Sequence, residues 1–343
     1  MKNTYTQKEQ YYGDYLGLDK ILNAQFPESE ARGIEAHDEL LFIIIHQAYE
    51  LWFKQLDYEL NSVVKILGSP TVDDNAPDLH LVAHRLNRMV EIWKLLVDQV
   101  RILETMTPMD FLDFRDLLTP ASGFQSYQFR NLEAKLGLRM EHRHACAYYT
   151  QQLRQEHLEQ IQEKEKEESL FEVVDAWLSR MPFTEDIYWG KNEESFWHIF
   201  QNIYSEGLTN AESARISIND FKAIFMGEGD RDMRLSPVAC RATLFINLYR
   251  EYPLLQTPFA IIQKLLQIDE LMSTWRYRHY IMVSRMIGMR SGTGGSSGAG
   301  YLKGAMESHQ IFKDFARLAT YLIPRHKLPQ LPEKLVKDLC FSV

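Results

Sequence analysis

Thirty consecutive residues, Asp38 to Leu67, contain neither glycine nor proline. Strands in globular proteins run about 3–10 residues, so a stretch of this length has few ways to fold. Its opening run, Leu40 to Ile45, could be a buried strand by periodicity alone. The uninterrupted length decides for helix, with Asp38 as the candidate N-cap. Thr107-Pro108 reads as an N-cap followed by proline at the first helical position and starts a second helix. Thr257-Pro258 has the same form and predicts a third helix running to about Ile287, stopped by Gly288. Another helix is predicted from Glu307 to Leu322, before Pro324. Strand alternation bounded by Asn-Gly or Asp-Gly turns is absent. The expected fold is all-α, with long helices packed as a bundle.

Composition narrows the function. The chain has 343 residues, 45% hydrophobic and 25% charged, which excludes disordered and fibrous classes. Lys+Arg is 38 and Asp+Glu is 47, a formal charge of −9, so the basic excess of a nucleic-acid binder is missing. This balance suits a small-molecule ligand. Cys146, Cys240 and Cys340 are far apart and form no CxxC, which fits a reducing cytoplasm. No CxxCH motif is present for covalent haem. The opening MKNTYTQKEQYYGDY lacks the apolar core of a signal peptide. The longest aliphatic-aromatic run is far too short to span a bilayer, so no membrane role is expected. The charge run from 156 to 169 reads as the solvated part of a helix or loop.

Several motif matches mislead. Gly294-Gly295-Ser296-Ser297-Gly298 fits the nucleophile-elbow pattern, but that elbow needs a preceding strand, and here a helix and a glycine-rich stretch come first. That stretch, 288–300, has six glycines in thirteen residues but lacks the Gly-Lys-Ser/Thr of a phosphate loop. Ser62-Val63-Val64-Lys65 lies mid-helix without the partner motifs of its class. His80 and His84 are one turn apart with no third ligand, and read as surface histidines.

Three polar residues on apolar helix faces are more informative. His46 has Phe42, Tyr49 and Phe53 as neighbours, and is either a core histidine satisfied by Glu50 or a backbone carbonyl, or a site residue. Arg115 has Phe111, Leu112 and Leu118 at helical spacing. Asp110, Asp113 and Asp116 are off that register. Its guanidinium needs an anion from elsewhere, either another helix or a substrate carboxylate. His279 lies on a stripe with Trp275, Met282 and Met286. That is either plain core or the wall of an apolar ligand, with a glycine-rich stretch close behind that permits close approach.

Several long strings, in order, carry a resemblance. They are Tyr12-Gly13-Asp14-Tyr15, HDELLFIIIHQAYELWFKQ from His37, PASGFQSYQFR from Pro120, WRYRHYIMVSRMIG from Trp275, GTGGSSG, and YLIPRH from Tyr321. With these the chain resembles the tryptophan 2,3-dioxygenase family. The segment of about 143–231 matches less clearly and takes no role from it.

The resemblance implies a single all-α haem-dioxygenase domain over 1–343, a haem b pocket and a homotetramer. It implies that His279 is the axial ligand of the haem iron and His46 the distal histidine facing the indole N–H. Phe42 and Phe111 would pack against the indole, Arg115 would clamp the substrate carboxylate, and Ser122 would lie in the loop over the distal side. Thr293 would fix the α-amino end. Tyr12 and Tyr15, on an N-terminal arm of about 1–30, would enter a neighbouring subunit's pocket. Ala299-Gly300 before Tyr301 are smaller than the family's aromatic there.

The implied activity is oxidation of L-tryptophan by O2 at the indole C2–C3 bond to N-formyl-L-kynurenine, with ferrous haem as cofactor. Rival readings are a haem oxygenase acting on a substituted indole or on tyrosine, a haem or tryptophan sensor, and a purely structural helical protein.

Overall fold

The computed structural model describes residues 10–70, 77–140, 143, 153–191, 195–208, 217–288, 290, 292, 302, 304 and 309–340. Among them every regular element is helical and no strand occurs. Three short helices, α1 (Tyr12–Leu16), α2 (Leu18–Ile21) and α3 (Glu28–Ala31), precede the long α4 (Asp38–Leu67) and α5 (Pro77–Leu103). Then come α6 (Pro108–Arg115), α7 (Tyr127–Leu136), α8 (Gln155–Lys164), α9 (Leu170–Leu178), α10 (Phe196–Glu206) and α11 (Pro237–Leu248). The longest helix, α12 (Pro253–Ile287), is followed by α13 (Lys313–Arg317) and α14 (Glu333–Leu339). No helix among the described residues is long and apolar enough to cross a membrane.

The frame is α4, α5 and α12. Helix α5 packs on both of the others, and α7 packs on α4. Leu56, Leu60 and Val63 of α4, Leu86, Val90, Trp93 and Leu96 of α5, and Leu265 and Ile268 of α12 are all fully buried. Their spacings of three and four residues put each set on one helical face, where burial of each large side chain contributes about 1.5–3 kcal/mol.

The 38–67 helix has the bounds its sequence predicts, but Asp38 is its first helical residue and His37 holds the cap position without a side-chain bond. Thr107 caps α6 as expected. Its hydroxyl accepts from the Asp110 amide, and Asp110 accepts from the Thr107 amide at 2.8 Å. The third helix starts earlier than Thr257-Pro258. Tyr252 is its N-cap and Pro253 takes the first position, so Pro258 lies inside the helix. Pro258 is the sixth helical residue, in the second turn, where its missing N–H forgoes the bond to the Leu254 carbonyl. The stop at Gly288, with φ +58°, is as predicted.

The helix expected over 307–322 is shorter. It consists of α13 and a 3₁₀ turn, Leu318–Tyr321. Asp269 of α12 takes the amides of Ile311 and Phe312 at 2.9 and 3.0 Å, which draws that backbone away from helical pairing. The 156–169 charge run is largely α8, with Ile161 as its buried contact. His80 and His84 are exposed, and among the described residues no group of three metal-ligating side chains occurs.

Candidate active site

A cavity of about 290 Å³ opens between α4, α6, α7 and α12. A single water needs about 10–15 Å³ by the same measure, so the space admits a large ligand. Phe42, His46, Phe111, Arg115, Ser122 and His279 all line it. They come from α4, α6, the stretch after α6 and the far end of α12. Thr293 lies outside the described residues, as do Ala299 and Gly300. Tyr12 and Tyr15 are each 71% exposed on this chain and do not line the cavity.

His46 is held by its own helix. Its Nδ1 lies 2.7 Å from the Phe42 carbonyl oxygen one turn earlier. A carbonyl only accepts, so the neutral ring carries its proton on Nδ1 and Nε2 is an acceptor. Burial pushes the imidazole below its ordinary value, against the opposing pull of the Phe42 carbonyl and Glu50. Glu50 is not its hydrogen-bond partner. Glu50 accepts from Ser126 Oγ at 2.6 Å and from Gln128 Nε2 at 2.9 Å, which ties the start of α7 to α4.

An aromatic wall continues from His46. Phe42 lies 4.1 Å from the His46 ring centre, 5.9 Å from Phe111 and 5.5 Å from Phe114. Phe111 and Phe114 meet edge to face at 5.4 Å. These edge and tilted contacts fix ring orientation as well as burying area.

Arg115 ends α6, where the chain tightens into the 3₁₀ turn Asp116–Leu118. That turn brings Asp116 within 3.7 Å, although helical register alone would keep it away. The Asp116 side chain is 92% exposed and the Arg115 side chain only 16%. Such a loose, solvated pair stabilises little. Ser122 caps the next 3₁₀ turn, Gly123–Gln125, which places it at the cavity edge.

His279 is stacked on Trp275 one turn earlier, with ring centres 5.5 Å apart and planes 11° from parallel. Trp275 in turn contacts Tyr49, Phe53, Trp93 and Phe129. Burial, with His46 nearby, pulls the His279 imidazole down to about 4. It is neutral at pH 7, and among the described residues neither ring nitrogen has a hydrogen-bond partner.

Sequence reasoning missed the polar end of the cavity. Arg130, Glu133, Arg276 and His309 line it beside His279. Glu133 is fully buried with Arg130, Arg143 and Arg276 around it. The signal was Arg130 and Glu133 three apart, between Phe129, Leu132 and Leu136. An ion pair on an apolar face needs further partners. Nothing in the sequence pointed to His309.

A profile of the tryptophan 2,3-dioxygenase family matches residues 2–322. The chain belongs to that family. A tryptophan 2,3-dioxygenase of Bdellovibrio bacteriovorus is 45% identical, over 96% of this chain and 98% of its own length. One from Xenopus laevis is 44% identical over 96% of this chain and 86% of its own. One from Dictyostelium discoideum is 41% identical over 98% and 89%. Matches of this extent run through the segment of about 143–231 as well.

The cavity's donors fit an iron porphyrin. A single neutral imidazole stands on one wall, backed by an aromatic stack, with Met282, Val283 and Met286 beside it. His46, the other imidazole on the aromatic side, is tied through Nδ1 to its own helix, so His279 stands as a lone axial-type donor with apolar side chains beside it, a ligand set that suits a haem rather than a hydrated metal ion.

Proposed function

We propose that this chain is a haem-dependent dioxygenase that cleaves the indole C2–C3 bond of L-tryptophan to give N-formyl-L-kynurenine. The observation that carries this is the convergence of Phe42, His46, Phe111, Arg115, Ser122 and His279 on one cavity, in a member of this family.

In this reading His279 holds haem b through the ring nitrogen that faces the cavity. When bound, ferrous haem supplies the one-electron iron chemistry that lets ground-state O2 react with a closed-shell indole. The remaining work falls to the chain's own side chains. Arg115 binds the substrate carboxylate through its guanidinium fork. Thr293 would take the ammonium end. Phe42 and Phe111 pack against the indole as one aromatic wall, and Ser122 borders the distal side.

The Nε2 atom of His46 accepts a hydrogen bond from the indole N–H and so fixes which edge of the indole faces the oxygen. It does not remove that proton. An indole N–H is far less acidic than imidazolium, and burial lowers the basicity of His46 further. Alignment of this kind is worth up to about 7–11 kcal/mol of barrier. Both oxygen atoms enter the product. Tyr12 and Tyr15 complete the pocket of a neighbouring subunit in a homotetramer, which leaves them exposed on the single chain.

The test is one coupled assay. The protein is loaded with hemin, reduced without air and mixed with L-tryptophan. Air is then admitted and the product weighed by mass spectrometry. A product heavier than tryptophan by two oxygen atoms is expected. Bound haem with unchanged tryptophan would sink the assigned reaction, and failure to bind hemin would sink the role of His279. Arg115→Ala should weaken tryptophan binding about 10–100-fold, the usual cost of a charge-assisted bond, with haem content unchanged. Unaltered affinity in equilibrium titration would remove the clamp.

A further inference from the structure

Glu133 is fully buried in the middle of α7 and sits at the cavity wall. Its Oε2 accepts from Arg130 Nη1 at 3.0 Å and from Arg143 Nη1 at 2.7 Å. Its Oε1 accepts from Arg276 Nη2 at 2.8 Å. His309 Nδ1 stands 3.8 Å from the same oxygen, beyond hydrogen-bond reach, and burial pushes that imidazole below its ordinary value. Burial alone would favour the protonated acid. Arg130 and Arg143 foremost, with His309 and Arg276, outweigh it and hold the carboxyl well below its usual range.

The connections matter more than the charge. Arg276 lies three residues before His279 on α12, and both side chains line the cavity. The second arm of its guanidinium, Nη1, donates to the His309 carbonyl at 3.1 Å. One carboxylate therefore reaches α7, the turn of α12 that bears His279, and the chain where it returns after the glycine-rich stretch. Side chains that fix the orientation of a metal-bound histidine tune both affinity and the metal–ligand bond.

We propose that Glu133 is a positioning residue for His279. By holding Arg276, whose other arm ties down the His309 carbonyl, it sets the orientation in which the imidazole is presented to the cavity. The proposal rests on the reading of His279 as the iron ligand.

The test compares wild type with Glu133→Gln, Arg276→Lys and Glu59→Gln. Glu59 is also a buried carboxylate, 2% exposed, 2.7 Å from Arg88 Nη1, and it does not line the cavity. Hemin is titrated into each apoprotein and followed by the Soret band. The iron–imidazole stretch is then read by resonance Raman on the reduced, loaded proteins, and melting by circular dichroism.

Glu133→Gln and Arg276→Lys should bind hemin about tenfold or more weakly and shift or broaden the stretch. Glu59→Gln should melt lower and leave both signals alone. Wild-type affinity with a wild-type stretch in Glu133→Gln would overturn the proposal, as would an equal shift in Glu59→Gln. Arg276→Lys keeps a cation at the site, so it decides the matter by the same criteria should Glu133→Gln not fold. His279→Ala is run alongside. If it keeps both hemin and the stretch, the ligand reading fails, whatever the Glu133 variants do.

Discussion

His46 performs its proposed task only as a neutral ring with a bare Nε2. The Phe42 carbonyl fixes that tautomer, and burial lowers the pKa below 6.5. The neutral form is the working form, so activity should stay level as pH falls through 6.5 and decline only below it. A kcat/KM profile for tryptophan from pH 5 to 8 checks this. An acid limb centred at or above 6.5 would contradict it. His46→Ala should keep haem and slow turnover. Glu133 carries a different pH signature. Its carboxyl is depressed in the folded state, so the stability it contributes is present above the unfolded value of about 4.3 and is lost as pH falls through the lower folded one. At pH 7 Glu133→Gln should cost about 3–5 kcal/mol, because it leaves buried guanidiniums uncompensated. The gap between variant and wild type should shrink below about pH 4. Urea unfolding at both pH values measures it, and a constant gap would show that the ion cluster does not set the cost.

At the scale of elements, the sequence was legible where a helix is governed by its own residues. The 38–67 helix and the Thr107 cap follow from local chemistry, and so does the stop at Gly288. The failures came where a distant side chain intervened. Asp269 captures two amides across 42 and 43 residues and shortens the helix predicted at 307–322. Near 253 two starts, Tyr252-Pro253 and Thr257-Pro258, compete, and the earlier proline takes the first position. Helix α6 carries both Phe111 and Arg115, so its cap is also a site element. Thr107→Ala should cost about 1 kcal/mol, lower the melting point by about 1–2 °C and raise KM for tryptophan more than it changes kcat. A pure kcat effect would detach the cap from the clamp. Gly137 ends α7 with φ +121°, and a Cβ there would lie 2.7 Å from Phe171 Cβ. Gly137→Ala should therefore be destabilised by about 2–4 kcal/mol, from backbone strain and overpacking together. A melting point equal to wild type would show that α9 can yield at Phe171.

At the scale of the whole molecule, the all-α class and the individual helices could be read from periodicity and punctuation, but their assembly could not. Periodicity marks His46, Arg115 and His279 as polar groups on apolar faces, and leaves each open between core and site. Only the packing of α4, α6, α7 and α12 around one cavity joins them. Glu133 and His309 belong to that packing and have almost no local signature. One part of the reading lies beyond the single chain. Tyr11, Tyr12, Tyr15, Leu22 and Phe26 are 68–78% exposed, an apolar arm with nothing of its own to cover. Apolar clusters of this kind mark interaction surfaces. If the arm closes a neighbour's pocket, activity per chain depends on assembly. Tyr12→Ala with Tyr15→Ala should leave the Soret band unchanged and raise KM for tryptophan about tenfold or more, given about 1.5–3 kcal/mol for each aromatic ring buried. Light scattering at falling protein concentration, paired with turnover per chain, separates the possibilities. Activity that falls together with the assembly supports a shared site. A monomeric species with full activity and wild-type KM would confine the active site to one chain and leave the arm's tyrosines without a catalytic role.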